Sequence, residues 1–269
     1  MLDEYTRANL NLWNEWADVH ERSGFYDVDG FKAGASTLLP IELDELGPQV
    51  AGKELLHLQC HLGLDTLSWA RLGARVTGAD FSPRAVAVAR SLAAETGLPA
   101  TFVESTVEDL PSVLDRRFDI VFTSWGAIMW LRDLGRWAEV IAHFLRPGGV
   151  FYMAEFHPVA LTLDDEHHEP RFSALSYFHT DEPERFDSPG TYAEPDAATE
   201  ATVSYEWQHT IGDVVSALAG AGLVVRFVHE FPFTRGLRMK CLVAGADGLL
   251  RVRGHEDTFP LSFSVMATL

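Results

Sequence analysis

Residues 54–82 read ELLHLQCHLGLDTLSWARLGARVTGADFS. An apolar run at Leu55-Leu56 leads through a short loop into a helical pattern, Gly63 to Arg71, that closes at Gly73. Arg75–Asp80 then reads as a second buried strand. Ser82-Pro83 follows as an N-cap with proline at the first helical position. Strand, tight loop, helix and second strand make one unit of a parallel sheet. The loop of such a unit normally carries glycines, so that backbone can lie against a ligand. Here Gln59 and His61 stand where two glycines are expected, and only Gly63 remains.

Outward from this unit the alternation continues. ATFVES (100–105), FDIVFTSW (118–125) and VFYMAEF (150–156) are strands. LGRWAEVIAHFL (134–145) is a helix, with Leu134, Trp137, Ile141 and Phe144 at helical spacing. LVVRFVHEF (223–231) and LSFSVMATL (261–269) supply further strands. Thr210 to Asp213 is a capping-box variant, and Asp247-Gly248 is a hairpin turn. The expected class is α/β: a Rossmann-like, mostly parallel sheet with helices on both faces. Before it, residues 1–50 form a helical lid, with Leu12, Trp13, Trp16 and Val19 on one stripe. Residues 51–157 and 210–269 make the core. Residues 158–209, polar and acidic, form a cap inserted after the fifth strand.

Composition narrows the partners. The chain has 269 residues, 47% of them hydrophobic, and a net charge of −18. Between Asp164 and Glu200 eleven Asp and Glu stand against two Arg. Such a surface repels polyphosphates and argues against nucleic acid as substrate. The N-terminal stretch lacks the pattern of a secretory leader, and no apolar run is long enough to span a membrane. Two cysteines outside any C-x-x-C fit a cytoplasmic protein without a disulfide frame. No set of residues has metal-ligand spacing, and a homodimer is left open.

In an open parallel sheet, ligands bind at the carboxyl ends of the strands. Asp80 ends the second strand twenty-one residues after Gln59. At that spacing a carboxylate accepts from both hydroxyls of a ribose. A nicotinamide dehydrogenase would want glycines at positions 59, 61 and 64, which hold Gln, His and Leu.

Together with FVESTVEDLP (102–111), FDIVFTSWGAIMWL (118–131) and FLRPGGVFYMAE (144–155), the opening stretch resembles the class I S-adenosylmethionine-dependent methyltransferases. With NLWNEWADVH (11–20) and FYDVDGF (25–31), it looks like a bacterial small-molecule subgroup of that superfamily. The resemblance implies seven strands, the last antiparallel and inserted between the fifth and sixth. It implies S-adenosylmethionine as cofactor and a small-molecule nitrogen or oxygen nucleophile as acceptor.

Its first loop usually reads Asp/Glu-x-Gly-x-Gly-x-Gly, and here those positions hold His57, Gln59, His61 and Gly63. Gln59 and His61 are therefore expected to use ordinary φ angles, or to stand further from the cofactor, and to offer side-chain donors to its methionine carboxylate. Thr106 and the Val107 N–H replace the usual acidic reader of adenine, with Glu108 or Asp109 as alternatives. Phe81 packs on adenine or in the core. Ser124 and Trp125 meet the methionine end, Trp125 by cation–π attraction to the sulfonium or by packing on the lid. Tyr26 is placed over the cofactor, and Phe31 over the acceptor. Tyr205, Trp207 and His209 alternate on one extended face toward the acceptor. His157 and His209 are the candidates for proton removal. Two other readings stand beside methyl transfer to a small molecule. One is a cofactor-binding regulatory or partner protein that transfers nothing, and the other is a protein methyltransferase.

Overall fold

The computed structural model describes residues 2–269. Helix α1 (Glu4–Arg22) is capped by the Asp3 carboxylate, which accepts from the Thr6 N–H. The short helices α2 (Val28–Lys32) and α3 (Pro40–Glu45) follow. Then come β1 (Glu54–Leu58), α4 (Leu64–Arg71), β2 (Arg75–Asp80), α5 (Pro83–Thr96), β3 (Ala100–Glu104), α6 (Leu110–Val113), β4 (Phe118–Ser124), α7 (Leu134–Phe144) and β5 (Leu145–Phe156). A pair of short antiparallel strands, β6 (Glu184–Asp187) and β7 (Val203–Glu206), lies within the inserted segment. The chain closes with α8 (Ile211–Gly220), β8 (Val224–Phe231), the hairpin β9 (Leu242–Ala244) and β10 (Leu250–Val252), and β11 (Ser262–Thr268).

The main sheet has the order β3-β2-β1-β4-β5-β11-β8. The five strands β1 to β5 run parallel, and β11 lies antiparallel between β5 and β8. The order in which strands are added reverses at β1, which β2 and β4 flank. That point leaves a crevice at the carboxyl ends of β1 and β4.

Both faces of the sheet are buried. Leu56, Leu58, Val121, Phe151 and Met153 pack under α7 and α8, with Trp137, Ile141 and Leu218 from the helices. Leu55, Ile120, Phe122 and Tyr152 face the opposite layer with Trp69 of α4 and Ile41 of α3. This two-sided burial explains the nearly continuous apolar strands. The strand pair β6–β7 escapes sequence periodicity because its residues are half-exposed and charged on one side. It is held by α1: the Asn9 amide donates to Tyr205 O (2.8 Å) and accepts from Tyr205 N–H (2.9 Å). One side chain thus supplies both hydrogen bonds of a missing neighbour strand.

Candidate active site

A cavity of about 940 Å³ opens at the carboxyl ends of β1 and β4 and reaches under α1, the loop at Phe25-Tyr26, and the inserted segment. Its floor begins with Asp80, which is 7% exposed. The carboxylate accepts from His61 N–H (2.8 Å) and Ser82 N–H (2.9 Å). Burial nevertheless raises its pKa to about 6. Two more lone-pair directions remain on a carboxylate so engaged. Phe81, Thr106, Val107 and Leu110 continue the floor from Asp80.

The first loop is not built as the sequence suggests. Gln59 and His61 adopt φ of +56° and +48°, so both occupy the left-handed region despite carrying side chains. The glycine conformation is thus kept without the glycines, at about 1–2 kcal/mol each. The side chains do not run free toward a cofactor carboxylate either. Gln59 Nε2 donates to Ala127 O (2.8 Å), tying the loop after β1 to the loop after β4. The His61 ring meets His20 of α1, Nε2 to Nδ1, at 2.9 Å and packs edge-on against Trp13. His61 therefore joins the roof to the floor. Burial holds both imidazoles neutral, with His20 lowered to about 3. Gly63, at φ +74°, packs where a Cβ would meet Phe102 and Ala89, and it does not line the cavity.

Beyond β4, Trp125 takes φ +39°, and its indole N–H donates to Glu42 of α3 at 3.3 Å. The loop behind it is clamped by Glu155, whose carboxylate accepts from the N–H groups of Gly126, Ala127, Ile128 and Phe156. Ser124 donates to Asp65 of α4 at 3.0 Å. The roof is aromatic. Trp13, Trp16 and Trp130 meet edge to face, Tyr192 of the inserted segment packs on Trp16, and the Tyr26 and Tyr192 hydroxyls are hydrogen-bonded to each other.

The structure brings Tyr26, Gln59, His61, Asp80, Phe81, Thr106, Val107, Ser124, Trp125 and Trp207 to the cavity wall. It leaves others elsewhere. His157 is buried beside it, with Nε2 on Glu230 (2.8 Å) and Nδ1 accepting from Val159 N–H. His209 donates to Leu131 O (2.7 Å) and stacks on His179. Both are fastened structural histidines, and neither lines the cavity. Phe31 is buried under the Arg71 guanidinium, 3.9 Å from the ring centroid. Of the expected face Tyr205, Trp207 and His209, only Trp207, just after β7, reaches the cavity. Ser204 and Glu206 face the cavity, whereas Tyr205 packs on Tyr5.

Sequence reasoning missed Glu206, Asp65 and Arg235. Glu206 accepts from Ser204 Oγ (3.2 Å), and burial raises its pKa to about 7. An acidic residue just after a stretch with eleven others carried no distinguishing signal. Its position one residue before Trp207, on a strand facing a cavity, is visible only in three dimensions.

Residues 55–149 match the family model described as a methyltransferase domain. The ubiquinone biosynthesis O-methyltransferase of Proteus mirabilis (strain HI4320) is 30% identical over 158 residues, 56% of this chain and 64% of that protein. The protein of the same name from Methylobacterium sp. (strain 4-46) is 35% identical over 112 residues, 41% and 44% of the two chains. The chain thus spans roughly half to just under two thirds of these relatives. Among solved structures, an S-adenosylmethionine-dependent methyltransferase from Mesorhizobium loti superposes with a TM-score of 0.57 at 20% identity, over 84% of this chain and all of that one. The glycopeptide N-methyltransferase MtfA, solved with S-adenosylmethionine, gives 0.54 at 19% identity over 84% and 85%.

Proposed function

We propose that this chain, which belongs to the class I S-adenosylmethionine-dependent methyltransferase superfamily, transfers a methyl group to an oxygen or nitrogen of a small, partly aromatic molecule. One observation carries this reading. A single cavity joins a nucleoside-type floor at Asp80 to an aromatic roof, and its volume of about 940 Å³ gives room for a cofactor and an acceptor side by side.

The residues fit the cofactor. Asp80 retains acceptor capacity for a vicinal diol, and Phe81, Val107 and Leu110 offer apolar walls to a base. Gln59 Oε1 is a buried acceptor with no donor among the described residues, as suits a site that receives a hydrogen-bonding ligand. When bound, S-adenosylmethionine supplies a methyl group on a sulfonium, open to in-line displacement.

This chain's residues then have two tasks. The first is enclosure. Trp13, Trp16, Trp130 and Tyr192 exclude water and hold a flat acceptor by ring contacts. The second is proton removal. Glu206, with its pKa near neutral, is the cavity carboxylate suited to take the O–H or N–H proton onto a carboxylate oxygen as the acceptor gains the methyl.

The test is incubation with S-adenosylmethionine and a panel of catechols, phenols and amines, followed by mass spectrometry. A methylated product with equimolar S-adenosylhomocysteine supports the reading. Binding of S-adenosylmethionine with no product from the panel, but with methylation of a basic peptide, favours a protein substrate. Binding with no transfer to anything favours a regulatory role.

A further inference from the structure

Two opposite charges on the cavity wall are held apart by one residue. Thr37, in the loop between α2 and α3, donates its hydroxyl to Asp65 Oδ1 (2.5 Å) and accepts at its carbonyl from Arg235 Nη1 (2.5 Å). Asp65 and Arg235 both line the cavity, both are half-buried, and they form no ion pair with each other. Asp65 takes its other hydrogen bond from the Ser124 hydroxyl, and Arg235 has no ion pair with any described residue.

A guanidinium has five N–H donors, and one is used here. The nearby carboxylate of Glu42 does not claim the rest. It accepts from Leu39 N–H and from the Trp125 indole, and burial raises its pKa to about 8. A half-buried arginine without a carboxylate partner is costly unless a ligand supplies the anion. The site lies where α4 begins and β4 ends, beside Trp125, at the opposite end of the crevice from Phe81 and Val107. An anion and a cation separated by one residue complement a ligand that carries a cation and an anion on adjacent groups.

We propose that Asp65 and Arg235 clasp the amino-acid end of the cofactor, Asp65 meeting its ammonium and Arg235 its carboxylate. The assignment rests on the cofactor reading above. It places in the loop after β8 the carboxylate donor that Gln59 and His61, engaged with Ala127 and His20, do not provide. Arg235 and Asp65 act here as binding residues and take no part in the displacement.

The test compares two ligands by calorimetric titration. S-adenosylhomocysteine carries the amino-acid end; 5′-methylthioadenosine keeps the nucleoside and the thioether but lacks that end. Arg235→Gln should weaken S-adenosylhomocysteine by about ten- to a hundred-fold, the loss of a charge-assisted hydrogen-bonded contact, and leave methylthioadenosine unchanged. Arg235→Lys keeps the charge without the planar fork and should fall between. It also serves if the glutamine variant does not fold.

Equal losses for both ligands would make Arg235 a structural residue and overturn the proposal. So would an unchanged affinity for S-adenosylhomocysteine, which would leave the guanidinium for an anionic group of the acceptor. If the wild-type chain binds methylthioadenosine and S-adenosylhomocysteine, and the variants bind both equally well, only the clasp fails. If the wild type binds neither, the cofactor reading fails with it.

Discussion

Gln59 and His61 hold φ angles of +56° and +48° in the loop after β1. Their place in the sequence marks the loop after β1, because Gly63, the strand before it and Asp80 after it keep their spacing. Their backbone was not legible. Side chains normally avoid positive φ, yet tertiary contacts to Ala127 and His20 hold both residues there. His61→Gly should therefore be tolerated by the loop, with φ strain relieved, while the roof loosens. Hydrogen exchange in residues 4–22 would report this as faster exchange in the variant, and unchanged exchange would mean that the His20 contact does not fasten α1.

His157 and His209, the histidines expected from sequence to remove a proton, are held by Glu230 and Leu131 O. A histidine at a strand end looks alike whether it serves chemistry or packing, until its partners are seen. His209→Ala should cost about 1–3 kcal/mol of stability through the lost bond to Leu131 O. Glu206→Gln, by contrast, should lower kcat by about 10²–10⁴ if proton removal limits turnover, with S-adenosylhomocysteine affinity near normal. A His209 variant with the larger turnover loss would reverse that assignment.

Asp80 also fixes a pH dependence. Its pKa is raised to about 6 by burial, and on the proposed reading both ribose hydroxyls donate to the ionised form, whereas protonation turns one oxygen into a donor. Ligand affinity should be full above pH 6 and fall as the pH drops through that value. Asp80→Asn should bind more weakly at neutral pH and lose this dependence. A wild-type affinity that stays flat from pH 8 to about 5 would put the ionised carboxylate out of the contact.

At the scale of elements, the strands and helices of the core were readable because two-sided burial writes itself as apolar runs, and caps such as Ser82-Pro83 mark helix starts. The inserted segment was not readable. Its strands are short, they pair across a long connection, and β7 takes its other neighbour from a helix side chain, Asn9. Asn9→Ala removes both of those bonds. Exchange should rise together in α1 and in β6–β7, and a rise confined to one of them would show that they are not docked through this residue. Residues 4–34 should in turn become more protected when S-adenosylhomocysteine is added, as a roof that settles on an occupied cavity.

For the whole molecule, the acidic surface and the enclosed cavity point the same way. A charge of −18 discourages nucleic acid, and among the described residues no helix is long and apolar enough to cross a membrane. The aromatic roof, built from α1 and the inserted segment, closes over one crevice of the sheet. The sheet order was expected from resemblance, whereas the joining of Trp13, Trp130 and Tyr192 above Asp80 arises from contacts between distant segments. Methyl transfer by this chain requires that crevice to be the cofactor site. Calorimetric titration with S-adenosylhomocysteine tests it most directly. One molecule should bind per chain, and Asp80→Ala should weaken it by about 1.5–3 kcal/mol, roughly 10- to 150-fold, the size of a lost charged hydrogen bond. No binding to the wild type, or an equal dissociation constant for the Asp80→Ala variant, would contradict it.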